Sequence, residues 1–304
     1  MIRLKPGATV DSALAALGEA KREANNVIGA GYTFRDLFAK YLEWAVNQER
    51  RLANAYGPVQ IEMLIQTRRY WTIQSIAPDS YGPALSSFIQ LELNDRIRQF
   101  ESTIAALQRS KSTWNVQWAE AAFPEQLHAV VVDTNVFMRH ATTIADLDWP
   151  AIIGRRPHES IGLVTLSVVI DELDSLKTAS GDMTNVGGKT YSRRSLAQRA
   201  LNHINATFTS DASRVLLREA SLDPLKGAVP ALQQMLILDD LEHTRLPSAD
   251  AEIIDQALGI QSFARSATVV SYDSNLVFMA RQLELGAHLF TSEPTQKRDG
   301  ARPA

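Results

Sequence analysis

The stretch HAVVVDTNVFMRH, residues 128–140, combines an apolar run with a carboxylate at the end of that run. Three consecutive valines are typical of a strand that is covered on both faces, as in the parallel sheets of α/β proteins. Such a strand can accommodate a charge only where it ends, so we place Asp133 at the C-terminal end of a strand. Open α/β sheets bind their ligands at this edge. From this stretch alone, a carboxylate that caps the next helix explains Asp133 equally well.

The composition is that of a globular protein, with 45% hydrophobic and 21% charged residues in a chain of 304. No apolar run is long enough to span a membrane, and charges interrupt the N-terminal segment too early for a signal peptide, so we expect a cytoplasmic protein. The absence of cysteine excludes disulfides, thiol catalysis and zinc sites of the cysteine type. A net charge of -3 provides no global attraction for nucleic acid, so any such attraction must be local.

The chain changes character near residue 125. Before about residue 110, apolar residues recur with helical spacing and are interrupted at Gly and Pro, which predicts an all-helical N-terminal domain over residues 1–125. From Leu127 onward short apolar strands alternate with helices. This alternation predicts a βαβ arrangement around a mostly parallel sheet over residues 126–292. Residues 293–304 have the composition of a disordered tail.

Four acids occur where strands end or where the following helices begin. Asp273 ends the run ATVVSYD in the same way that Asp133 ends its own run. In VVIDELDSLK, Glu172 shares the apolar face of a helix, and in LPSADAEIIDQALGI, Asp250 begins the apolar face. Helix capping or the helix dipole explains each acid taken alone. Four acids at one edge of a sheet are not expected by chance.

Carboxylates that lie close together share protons or gather around a cation. Ligand sets made only of oxygen atoms suit Mg²⁺ or Mn²⁺ rather than zinc, and the six histidines show no i, i+4 pairing. Such ions activate water and stabilise the leaving oxygen in phosphodiester cleavage. The acids therefore predict a metal-dependent hydrolase that acts on phosphodiesters.

The segments VVVDTNVF, VVIDELDSLK, LPSADAEII and VVSYDSNLVFMARQLELGA, in this order, resemble the PIN-domain ribonuclease family over about residues 127–291. The stretch DELDSLK is closest to the longer PIN domains, including those fused to PhoH-type ATPases. The resemblance implies a three-layer α/β/α fold with a central parallel sheet. It also implies metal-dependent cleavage of single-stranded RNA.

The resemblance carries over, residue by residue, to four catalytic acids that bind Mg²⁺ or Mn²⁺ and to two polar residues beside them: Asp133, Glu172, Asp250, Asp273, Asn135 and Ser274. The third motif departs from the family pattern, because Ala249 precedes Asp250 where a polar residue is usual. Glu252 or Asp255, which the helical spacing places on the outer face, could replace Asp250 as the third acid.

A local excess of positive charge follows the second acidic motif. Residues 177–218 contain seven Lys or Arg against two Asp. We predict that five of the basic residues bind the RNA backbone: Lys177, Lys189, Arg193, Arg194 and Arg199. A solvated helix face explains the same charges equally well. The Gly-rich stretch at 178–190 would suit a mobile flap beside them.

Two other functions fit parts of the pattern. One is a catalytically inert PIN-fold protein that binds RNA or acts as a scaffold. The other is a structure-specific DNA nuclease of the flap-endonuclease type, although the larger acid set of those enzymes is not visible here. The helical N-terminal domain could form a homo-oligomer, bind a protein partner or hold substrate.

Overall fold

The computed structural model describes residues 4–5, 7–77, 82–116, 125–178, 183–186, 188–209, 212–223, 227–239 and 243–291. The tail from residue 293 that we predicted to be disordered lies outside these ranges, as does part of the Gly-rich stretch at 178–190. The chain divides into two compact units, Met1–Thr113 and Trp114–Ala304. Within the described ranges, no helix has the length and apolar character needed to cross a membrane.

The described residues of the first unit between 10 and 113 form helices joined by turns, as predicted. Its described helices are α1 (Val10–Gly29), α2 (Phe34–Leu52), α3 (Pro58–Leu64), α4 (Arg68–Ser75) and α5 (Ala84–Thr113). Thr9, Thr33 and Thr67 each begin a helix, because each side chain accepts a hydrogen bond from a backbone N–H three residues further on. The long helices α1, α2 and α5 pack against one another around buried apolar side chains.

The second unit alternates strands and helices. Its described strands are β1 (Asn115–Val116), β2 (Glu125–Gln126), β3 (His128–Val132), β4 (Ile161–Leu166), β5 (Met183–Val186), β6 (Lys189–Ser192), β7 (Arg214–Arg218), β8 (Ser221–Asp223), β9 (Gly227–Val229), β10 (Leu232–Ile237), β11 (Ser266–Ser271) and β12 (Gly286–Leu289). Its described helices are α6 (Thr134–His140), α7 (Trp149–Ile152), α8 (Ser167–Leu176), α9 (Arg193–Thr207), α10 (Ala249–Gln261) and α11 (Ser274–Gln282), together with a 3₁₀ turn at Ile144–Asp146.

A six-stranded sheet with the order β12-β11-β3-β4-β10-β7 forms the centre of this unit. All neighbouring pairs are parallel except β10 and β7, which are antiparallel, so the predicted mostly parallel sheet is confirmed. Every residue of β3 is buried, as the run of valines predicted. The remaining described strands form three antiparallel pairs, β1 with β2, β5 with β6 and β8 with β9.

The topology brings several chain segments to one edge of the sheet. Because β11, β3, β4 and β10 are parallel, their C-terminal ends lie at the same edge. β3 leads directly into α6 and β4 leads directly into α8, while β11 leads into α11. β10 reaches α10 through a longer loop. Four helices therefore begin at this edge, which is where the sequence predicted the acids.

Candidate active site

Asp133 lies at the C-terminal end of β3 and is the N-cap residue of α6. Its carboxylate accepts hydrogen bonds from the Thr134 backbone N–H (2.7 Å), the Ser271 hydroxyl (2.6 Å) and the Asn135 side-chain amide (3.3 Å). The residue is only 4% exposed. Burial is the main reason why the pKa of Asp133 rises to about 6; the Ser271 hydrogen bond opposes this rise, and the charge of Glu172 adds to it.

Glu172 approaches Asp133 from α8. The Thr134 hydroxyl donates a hydrogen bond to Glu172 Oε2 (2.5 Å), so the residue that follows Asp133 also fixes Glu172. Glu172 is half-buried, and its negative charge contributes to the raised pKa of Asp133. These two acids, one at the end of β3 and one on the helix that follows the adjacent strand β4, therefore form one electrostatically coupled pair.

The hydroxyl of Ser271 connects Asp133 to a third acid, Asp273. The hydroxyl donates to Asp133 and accepts a hydrogen bond from the Asp273 backbone N–H (2.7 Å). Asp273 is the N-cap residue of α11 and accepts from the Asn275 backbone N–H (2.7 Å). Its carboxylate is exposed, in contrast to the buried carboxylate of Asp133.

Asp250, in the first turn of α10, lies next to Asp273. Partial burial raises the pKa of Asp250, and the charge of Asp273 raises it further, while a hydrogen bond from the Asn275 side chain lowers it. The structure thus brings all four acids predicted from the sequence into one continuous network. The four acids lie far apart in the sequence and meet only in the folded chain.

The polar residues predicted to support the acids behave differently from each other. Asn135 donates to Asp133, whereas Ser274 is exposed and its hydroxyl forms no hydrogen bond with another described residue. Thr134 and Asn275 complete the network but were not predicted. Each follows an acidic N-cap residue by one or two positions, but its side chain reaches an acid from another segment: the Thr134 hydroxyl reaches Glu172, and the Asn275 amide reaches Asp250. No local signal in the sequence identifies such contacts.

Our prediction that Glu252 faces outward is wrong. The residue is 1% exposed; its carboxylate accepts from the Leu246 backbone N–H (2.9 Å) and the Gln256 amide (2.9 Å), and lies 2.7 Å from His243 Nε2. Helical spacing missed this because the loop before α10 folds back over the first turn of the helix. Since Glu252 is committed to that loop, the geometry favours Asp250 as the third acid.

The same loop connects α10 to α8. Arg245 forms ion pairs with Asp171 on α8 and with Asp239 after β10 (2.5 Å for the pair with Asp239). The next residue, Leu246, is held by Glu252 of α10. Because α8 and α10 each carry one of the predicted acids, the dipeptide of Arg245 and Leu246 links the helices that set the separation of those acids. We call this dipeptide the inter-helix link.

A second group of metal-ligand side chains lies beside the inter-helix link. One ligand atom each of Asp239, His243 and Glu252 lies within 4.8 Å of the others. The oxygens of Asp239 already accept from the Ser167 hydroxyl (2.7 Å) and from the Arg245 guanidinium. A cation at this position would face that guanidinium, so we assign the group a structural role.

The four acids at the sheet edge differ from this group because no guanidinium of the described chain neutralises them. None of them forms an ion pair with a lysine or arginine in the part of the chain that the structure describes. The raised pKa values of Asp133 and Asp250 reflect this uncompensated negative charge together with burial. Carboxylate oxygens are the ligands that Mg²⁺ and Mn²⁺ prefer, so the donor set fits a divalent cation.

Comparison with known proteins agrees with this geometry. A family model described as the PIN domain matches residues 130–290, just over half of the chain and a range that includes all four acids. The chain therefore belongs to the PIN-domain family, which confirms the resemblance of the four acidic segments. PIN domains are typically nucleases and generally use divalent metals. No curated protein matches the chain.

The raised pKa of Asp133 predicts how stability depends on pH in the absence of metal. The folded-state pKa of about 6 lies above the value of about 3.9 for an unfolded chain, so the stabilisation by the bound proton is complete below pH ~4 and is lost as pH rises through 6. Asp133→Asn cannot titrate. Between pH ~4 and ~7, the wild type should therefore lose about 2 kcal/mol of unfolding free energy relative to the variant, measured by urea denaturation in chelator. A difference that does not change with pH would contradict the assigned environment.

The buried position of Glu252 predicts a second difference. Glu252→Ala leaves the Leu246 N–H and the Gln256 amide without their acceptor, so the free energy of unfolding should fall by about 2–4 kcal/mol. Glu219→Ala, which removes an exposed acid after β7, is the matched control and should change it by less than about 0.5 kcal/mol. Equal effects of the two substitutions would show that Glu252 does not hold the loop.

Proposed function

We propose that the chain is a Mg²⁺- or Mn²⁺-dependent endoribonuclease that hydrolyses phosphodiester bonds of single-stranded RNA. One observation supports this proposal most directly: four carboxylates meet at the edge where parallel sheets bind their ligands. No described lysine or arginine pairs with any of them. Membership of the PIN-domain family supports nuclease chemistry in general. The restriction to RNA and the metal requirement are our proposals.

Asp133, Glu172, Asp250 and Asp273 would hold the metal. When bound, the metal supplies an activated water and charge stabilisation at the leaving oxygen. The chain contributes orientation: Asp133 is fixed by three hydrogen-bond donors, and Glu172 is fixed by the Thr134 hydroxyl. We propose that Asn135 keeps Asp133 in place and that Ser274, which is exposed beside Asp273, contacts substrate.

The structure separates the basic residues of segment 177–218 into two groups. Arg214 and Arg218 belong to β7, where both are half-buried and donate hydrogen bonds to Gln233 and to the Pro230 carbonyl respectively, so we exclude them from RNA binding. The five residues predicted to bind RNA lie on α9 or in the segments that precede it: Lys177, Lys189, Arg193, Arg194 and Arg199. We propose that this surface contacts the RNA backbone. Lys177 is the weakest member, since it already pairs with Asp174 (2.5 Å).

The first test of this function concerns the metal. Because the clustered acids repel one another, Mg²⁺ or Mn²⁺ should stabilise the wild type by about 2–3 kcal/mol at a hundredfold excess over the dissociation constant. Asp133→Asn should abolish most of the corresponding rise in melting temperature. Titration calorimetry checks the same point directly. Equal metal binding by the wild type and by the variant would place the metal site elsewhere.

The second test concerns cleavage. Asp273→Asn keeps the α11 cap, because Asn caps as well as Asp, and Glu172→Gln relieves repulsion on Asp133. Both variants should therefore keep at least wild-type stability, yet lose cleavage of a labelled unstructured RNA with Mn²⁺ by orders of magnitude. Glu219→Gln removes one charge at the opposite edge of the sheet and should cleave normally.

A chelator control separates the enzyme from an inert relative. The wild-type activity should disappear with chelator and return with Mn²⁺. If the wild type and Asp273→Asn show the same chelator-insensitive background, the nuclease proposal fails. A PIN-fold protein that binds RNA or acts as a scaffold then becomes the better explanation.

A further inference from the structure

An open groove of about 720 Å³ runs along α9. Eight described residues line it, and none of these carries a carboxylate. They comprise Arg194, Arg199, His203 and five residues with hydroxyl or amide side chains. Hydroxyls and amides both donate and accept hydrogen bonds, which suits contacts with phosphate and sugar oxygens. We call this feature the α9 groove.

The two arginines supply its charge. The Arg194 guanidinium forms neither a hydrogen bond nor an ion pair with another described residue. The Arg199 guanidinium lies over the Tyr191 ring, 4.9 Å from the centroid, which holds the charge in place. Its N–H groups form no hydrogen bond with another described residue. Burial lowers the pKa of His203, so its imidazole is neutral at neutral pH and the arginines alone make the groove positive.

The helix itself favours an anion at this end. Ser192 caps α9, and the groove is lined from Ser192 to His203, so it includes the positive end of the helix dipole. At 1.5 Å per residue this length is about 16 Å, longer than a single phosphate group. An extended chain of phosphates fits the α9 groove better than one small anion does.

The groove also lies close to the acids along the chain. Its lining includes Thr142, which follows α6, and α6 begins directly after Asp133. The seven residues of α6 span about 10 Å. A strand held in the α9 groove would therefore lie about one short helix away from the candidate active site.

We propose that the α9 groove binds backbone phosphates of single-stranded RNA, with Arg194 and Arg199 each contacting one phosphate. The proposal rests on the ribonuclease function proposed above and narrows its basic surface to these two arginines. Arg155, an exposed residue between α7 and β4, lies outside the groove lining and outside the basic surface proposed above, so it serves as a matched control for charge without the groove.

The test is the salt dependence of RNA binding, measured by fluorescence anisotropy with a labelled oligouridylate about 12 nucleotides long. Chelator prevents metal-dependent cleavage during the measurement. Each of Arg194→Ala and Arg199→Ala should reduce the slope of log affinity against log salt by about 0.7, and the double variant by about 1.4. Arg194→Lys keeps the charge and should keep the slope. Arg155→Ala should change the slope less than Arg194→Ala does, and melting curves should show that every variant is folded.

Two results would overturn the proposal. An unchanged slope in the double variant would show that the α9 groove does not bind the backbone. Equal losses from Arg155→Ala and Arg194→Ala would show a diffuse effect of surface charge instead of a defined groove. Cleavage of RNA by the wild type with Mn²⁺ is measured separately, so failure of the groove leaves the nuclease proposal standing, and failure of cleavage leaves the binding result interpretable.

Discussion

The carboxylates at one edge of the sheet in the second unit repel one another, and the surrounding structure holds them together against this repulsion. Parallel strands place Asp133 and Asp273 side by side, and helices that begin at the same edge add Glu172 and Asp250. Burial makes the charge on Asp133 more costly, as its raised pKa shows. Helix caps and hydroxyl donors offset part of this cost and at the same time fix each carboxylate. The four carboxylates are thus held in place without a described lysine or arginine partner. Their remaining negative charge favours the binding of a divalent cation.

The acids come from four separate segments, so their spacing depends on tertiary contacts. The Ser271 hydroxyl joins the ends of β3 and β11 through a pair of hydrogen bonds. The inter-helix link joins α8 and α10 in a similar way, through one ion pair and one hydrogen bond that differ in strength. Its bond to Glu252 is partly buried because the Glu252 side chain is buried, whereas the ion pair between Arg245 and Asp171 is largely exposed and screened by salt. We therefore expect the partly buried bond to hold α10 in place and the exposed pair to contribute little to stability.

Much of the fold and site could be predicted from sequence because it depends on local rules. The valine run of β3 predicted a strand covered on both faces, and the acids at strand ends predicted the functional edge. Glu252 shows where this reasoning stops: helical spacing assigns a side chain to a face of its own helix, but cannot foresee a loop that folds back over that face. The antiparallel pairing of β7 and the shared hydroxyl of Ser271 were likewise beyond local rules, because both are set by segments distant in sequence.

The most direct measurement of the central claim is a crystal structure of the protein soaked with Mn²⁺, examined by anomalous scattering. The account predicts an anomalous peak within about 2.0–2.4 Å of oxygens of Asp133 and its neighbouring acids Glu172, Asp250 and Asp273. A peak at Asp239, His243 and Glu252 instead, or no peak at the sheet edge under saturating Mn²⁺, would contradict it.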